Sequence, residues 1–184
     1  MTDDSTKRRD AASWVLGAAT VATGLIAGTF YVFACAVMPA LARSDDRVFI
    51  EVMRNIDEVI QNPVFLLCFL GAPLLTAVAA RWSRGGPERW WVLAALAAHA
   101  LAFTVTAVFN VPLNNGLADA GAPARIADPA AVRDRFEDAW VAWNVVRTLL
   151  STLALACLAG ALLRHRRPQA SAYLASAAGS SARR

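Results

Sequence analysis

Charge disappears from this chain in long intervals. There is none between Asp10 and Arg43, between Glu58 and Arg81, or between Arg89 and Asp119, and the stretch from Asp138 to Arg164 holds only Arg147. A helix needs about 20 consecutive apolar residues to cross the hydrocarbon core of a bilayer, and each interval supplies them. The pattern predicts membrane spans over about 13–41, 63–80, 90–111 and 140–163. As a helix, the first run, Ala11 to Ala42, would reach about 48 Å at ~1.5 Å per residue, so it must tilt or protrude. It is also far longer than the apolar segment of a signal peptide, although Ala40-Leu41-Ala42 imitates a cleavage site, and is therefore expected to be retained. Pro39 is expected to kink or end this span, Pro73 to kink the second, and Pro112 to disfavour helix at Val111. Asn114 and Asn115 then fall in a kinked last turn or just beyond it.

A different period occupies residues 45–61. Phe49, Val52, Met53, Ile56, Val59 and Ile60 recur at helical spacing opposite Glu51, Arg54, Asn55, Asp57 and Glu58. That is an amphipathic helix, too polar on one face to span, which either lies in the interface or folds over the mouth of the bundle. Ser44 is a candidate cap, with Asp45 and Asp46 in the first turn. Asp128-Pro129 marks another helix start, with Arg133 and Glu137 four residues apart along it. The fold class expected is all-α: a membrane four-helix bundle over 11–167, with an amphipathic outer-surface helix between spans one and two. A polar tail (1–10) precedes it, and an Ala/Ser-rich tail (168–184), expected to be disordered, follows.

Composition agrees with this pattern. The hydrophobic fraction of 57% exceeds that of ordinary soluble domains, and charged residues make up 17%; mean hydropathy is +0.43. The net charge of +4 does not form a nucleic-acid patch. Lys7, Arg8, Arg9, Arg81, Arg84, Arg89, Arg164, Arg166 and Arg167 fall on one side of a four-span chain, while Arg43, Arg47, Arg54, Arg125, Arg133 and Arg135 fall on the other. By the positive-inside rule both termini are cytoplasmic, in a multi-pass protein of the cell (plasma or inner) membrane. Cys35, Cys68 and Cys157 lie in separate spans without a vicinal pair, which suits packing rather than redox chemistry. Gly24 and Gly28 form a GxxxG pair that fits either packing against the second or fourth span or a homodimer face. Trp82, Trp90 and Trp91 read as an interfacial belt.

The candidate chemistry lies at the outer ends of spans three and four. Trp140, Asn144, Arg147 and Ser151 are spaced four, three and four apart and share a helix face. His99, Phe103, Thr106, Asn110 and nominally Asn114 form a stripe on span three. Antiparallel spans bring Asn110 and Asn114 to the depth of Asn144 and Arg147, two turns below the surface. These groups either hydrogen-bond one another to pin the helices or face a ligand, and an intramembrane charge favours the ligand. No carboxylate lies within a span to neutralise Arg147; Glu51, Asp57 and Glu58 are the nearest if the amphipathic helix covers the mouth. His99 is expected to hydrogen-bond a neighbour such as Thr104 or Thr106. With His165 the only other histidine, neither haem nor a metal site is expected.

The segments FNVPLNNGL and W-x-x-W-N-x-x-R (Trp140 to Arg147), a Gly-rich first span ending in Pro39, and the helix VFIEVMRNIDEVIQNP together resemble the anthrone oxygenase family of small four-helix membrane proteins, over about residues 15–163. The resemblance implies an oxygenase that needs no cofactor and acts on an activated aromatic ketone with O₂. Arg147, Asn144, Asn110 and Asn114 would hold the oxyanion, and Glu51 or His99 would serve as base. Trp143, Trp140, Tyr31 and Asn55 would contact an aromatic or hydrophobic ligand. The alternative is a non-enzymatic membrane bundle that binds a hydrophobe or serves as an assembly partner.

Overall fold

The apolar intervals become long helices. A computed structural model describes the backbone of residues 2–181 and the side chains of residues 10–164. α1 (Thr2–Val32) passes through a π-helical turn, Phe33–Val37, into α2 (Met38–Leu41). After α3 (Asp46–Ile60) come α4 (Pro63–Trp82), α5 (Arg89–Val105), a second π turn (Thr106–Asn110), α6 (Val111–Asp119) and a short 3₁₀ turn (Pro123–Arg125); the last helix is α7 (Pro129–Ser181). Among the described residues four helices are long and apolar enough to cross a membrane: Asp10–Leu41, Pro63–Trp82, Arg89–Asp119 and Pro129–Arg164. The protein is an all-α, multi-pass membrane bundle. The backbone of the tails expected at 1–10 and 168–184 is helical where it is described, from Thr2 in α1 and as far as Ser181 in α7.

Pro39 and Pro112 do not end their helices. Each stands two residues past a π turn, and the helix resumes as Met38–Leu41 or Val111–Asp119. Inside an α-helix, proline lacks one amide donor and its ring meets the carbonyl four residues back. A wider turn at that point relieves the clash, as π-bulges do. The third span therefore continues beyond Val111, and Asn114 and Asn115 are helical. Pro73 lies inside α4, which is helical throughout.

Neighbouring helices form a ring in which α4 packs on α1, α1 on α7, α7 on α5 and α5 on α4. At the terminal end the core is built from small side chains, with Ala19, Ala79, Ala95, Ala98, Ala154 and Ala161 around Leu16, Val92 and Leu158. Small residues let backbones in lipid approach closely. At Gly160 an added Cβ would stand 2.9 Å from Trp91 Cε3, so only glycine seats α7 against that ring. Trp91 is thus a packing residue as well as a belt residue, and like Trp82 and Trp90 it keeps part of its ring exposed. Gly24 faces Leu155 of α7, while Gly28 faces open space.

The other end of the bundle is covered by α3. Its Phe49, Ile50 and Met53 are buried against Met38, Leu117, Ile126, Phe136 and Trp140. Full burial of a side chain such as Phe49 or Ile50 contributes about 1.5–3 kcal/mol, against about 0–1 for an exposed ion pair, so apolar contact dominates the docking. Polar contacts fix its orientation. Arg133 of α7 donates to the carbonyls of Ala42 and Ser44, each at 3.0 Å, and pairs with Asp46 (2.8 Å) and Glu137 (2.6 Å). From α3, Arg47 donates to the carbonyls of Pro123 and Ile126, and Arg54 to that of Gly121, which has φ +87°. The cap of α3 is Asp45, accepting from Arg47 N at 2.9 Å. Ser44, the expected cap, instead donates to Leu41 O at 2.6 Å because the chain is still completing α2 there.

Candidate functional site

α7 presents one buried polar face. Trp140, Asn144, Arg147 and Ser151 are 5%, 1%, 7% and 2% exposed, as their spacing requires. Asn144 Nδ2 donates to Phe30 O of α1 at 3.1 Å, and its Oδ1 accepts from Arg147 Nη2 at 3.0 Å. Both ends of that amide are committed, so Asn144 orients the guanidinium. Arg147 Cζ lies 4.4 Å from the Phe30 ring centroid and 5.4 Å from that of Trp140. Such faces attract a desolvated cation. Among the described residues no carboxylate reaches Arg147 within 4.0 Å, and its Nε is buried without a partner. A buried donor left unsatisfied costs about 1–3 kcal/mol.

The second polar strand of the site comes from α6 and α3. Trp140 Nε1 donates to Asn114 Oδ1 at 2.8 Å, and Asn114 Nδ2 donates to Asp57 Oδ1 at 2.5 Å. Burial pushes the Asp57 carboxyl above its ordinary value, an effect partly offset by the Asn114 hydrogen bond. Asp57, Asn114, Trp140 and Arg147 all line a cavity of about 310 Å³. Its remaining walls are mainly apolar, from α1, α3 and α4, with Phe30, Phe33, Ile56, Phe65 and Phe69 prominent. The volume falls at the small end of the range for small-molecule pockets, and the mix of apolar walls with few polar groups is typical of them.

The other expected site residues are distributed differently. Asn110 is buried beside the site, donating weakly to Trp140 O at 3.5 Å with its Oδ1 unpartnered, and does not line the cavity. Glu51 and Asn55 line a separate groove of about 490 Å³ on the other face of α3. Tyr31 is 59% exposed and points away. Trp143 stacks on Phe109 at 3.6 Å between centroids rather than on the cavity. His99 bonds Thr23 of α1 at 3.2 Å. Thr104 and Thr106, its expected partners, donate instead to carbonyls of their own helix, those of Ala100 and Ala102. Serine and threonine hydroxyls do this readily inside helices.

Asp57 is the cavity residue that sequence reasoning left among several acidic neighbours. One signal was available: it sits at i+4 from Met53 and beside Ile56, on the edge of the apolar stripe of α3. No curated protein and no solved structure matches the chain. A family model described as Anthrone oxygenase matches residues 52–157, from within α3 to the middle of α7, and so takes in Asp57, Asn114, Trp140 and Arg147 of the cavity. More than half of the chain is matched, and it belongs to the anthrone oxygenase family.

Proposed function

We propose that the cavity binds an activated aromatic ketone of the anthrone kind and oxidises its methylene with O₂, with no resident cofactor. The balance is simple: a CH₂ group and O₂ give C=O and water. Loss of a methylene proton gives an enolate that can itself reduce O₂, so the protein needs to stabilise the enolate oxygen and exclude water. The observation that carries this reading is the buried Arg147 guanidinium, with an unpartnered Nε and no carboxylate beside it, on a cavity walled by aromatic rings. On this reading Arg147 holds the oxyanion, Asn144 keeps it in place, and the Phe walls hold the ring system.

We also propose that both termini face the cytoplasm. Arg81, Arg84, Arg89 and Arg164 stand at the terminal end of the bundle, where the positive-inside rule favours them.

Oxygen uptake by the purified protein tests the activity. Anthrone should drive equimolar consumption of O₂ and appearance of the quinone. Arg147→Met should lower kcat/KM by roughly 10²–10³-fold, the usual effect of losing one oxyanion donor, with unchanged yield of monodisperse protein. Quenching of Trp140 fluorescence by anthrone with no oxygen uptake would replace the enzyme reading with a binding one.

A further inference from the structure

Two cavities meet at α3. The apolar one holds Arg147, and the groove of about 490 Å³ on the far side is lined by Glu51, Arg54, Asn55 and Glu58. Four residues line both: Met53, Asp57, Gln61 and Asn114. Only Asp57 among them carries a titratable side chain. We propose that Asp57 is the general base of this site, accepting the methylene proton in the apolar cavity and releasing it to the polar groove, with Asn114 as its positioning residue. The assignment rests on the oxygenase reading above.

The hydrogen-bond chain fixes the base in an accepting state. An indole N–H can only donate, so Trp140 Nε1 must meet the oxygen of the Asn114 amide. That turns the amide nitrogen toward Asp57 Oδ1. Among the described residues no hydrogen bond occupies Asp57 Oδ2, which is left to receive a proton. Partial burial raises this carboxyl above its usual value, toward the range in which a carboxylate is an effective base. The charged groups lining the two cavities with it are Arg147 from α7 and Glu51, Arg54 and Glu58 from α3; α1, α4, α5 and α6 contribute none.

In the first step a methylene C–H bond breaks. Its electron pair enters the enolate, whose oxygen faces Arg147, and the proton goes to Oδ2. The enolate then gives an electron to O₂ and the radical pair collapses to a C–O bond, giving a hydroperoxide once protonated. Loss of the second methylene proton to the base, with cleavage of the O–O bond, forms C=O and releases hydroxide, which leaves as water.

Rate against pH tests the base directly. In the wild type the rate should fall on the acid side through one ionisation lying above the ordinary aspartate value. Asp57→Asn should lose on the order of 10²-fold or more at pH 7, the scale of general-base catalysis, while anthrone still quenches Trp140 fluorescence. Its rate should recover as pH passes the ketone's own ionisation, because a preformed enolate needs no base. Asn114→Ala, which removes the hydrogen bond favouring the carboxylate, should move the acid limb to higher pH. An Asp57→Asn rate and pH profile equal to wild type would overturn the assignment while leaving the oxygenase reading intact; no oxygen uptake by the wild type would overturn both. If Asp57→Asn fails to fold, an unmoved acid limb in Asn114→Ala overturns the assignment.

Discussion

A carboxylate on the apolar edge of an amphipathic helix has an energetic signature of its own. Asp57 is held above the ordinary aspartate value of 3.8 chiefly by burial, so its ionised form is less welcome in the folded protein than in the unfolded chain. Linkage then fixes the direction of this one contribution: the penalty from Asp57 is absent below about pH 3.8 and grows as pH rises toward the raised folded value. At pH 7 Asp57→Asn should therefore increase Tm, its Oδ1 still accepting from Asn114, and the gain should vanish below pH 3.8 where the wild type is also protonated. Thermal unfolding in detergent at the two pH values reads this directly. The residues of α7 were legible beforehand because polar side chains at four-three-four spacing stand out in an apolar run. Asp57 was not, because one acid among Glu51, Arg54 and Glu58 looks like part of a solvated face. The Thr23 partner of His99 was hidden too, since it depends on how α1 meets α5 across the bundle rather than on either sequence.

Among the elements, the π turns decide where the site residues point. A π turn carries one residue more than an α turn, and each residue rotates the helix by about 100°. Removing exposed Val108 from the Thr106–Asn110 turn should convert it to an α turn while leaving Asn114 and Leu117 on their present face. Deletion of buried Ala98 within α5 should instead rotate everything after it and abolish folding. Monodisperse yield and Tm of the two deletions separate these outcomes, with a change of a few degrees expected for the first. Prolines at 39 and 112 announced an irregularity in the sequence, but its form, a widened turn rather than a break, depends on the helix having neighbours that reward its continuation. The amphipathic period of α3 was equally plain. What it covers became visible only with Phe49, Ile50 and Met53 seated on the bundle end and Arg47 and Arg54 holding a loop, residues 120–126, that had no motif.

For the molecule as a whole, the four spans followed from charge spacing alone, and their orientation is open to a simple test. A cysteine introduced at Arg84, in the turn between α4 and α5, should resist a membrane-impermeant maleimide in intact cells and react after lysis. One introduced at Ala120, in the loop between α6 and α7, should react in intact cells. The reverse pattern would invert the topology. The Arg133 contacts also impose an order on biosynthesis. Proteins are made from the N-terminus, and early segments adopt structure before later ones exist. Yet the carbonyls of Ala42 and Ser44 and the carboxylate of Asp46 meet their guanidinium only when residue 133 has been made, and Arg147 and Trp140 complete the cavity after that. A chain halted before its fourth span thus carries three membrane helices and an incomplete cavity, so nothing can be held there on a half-made protein.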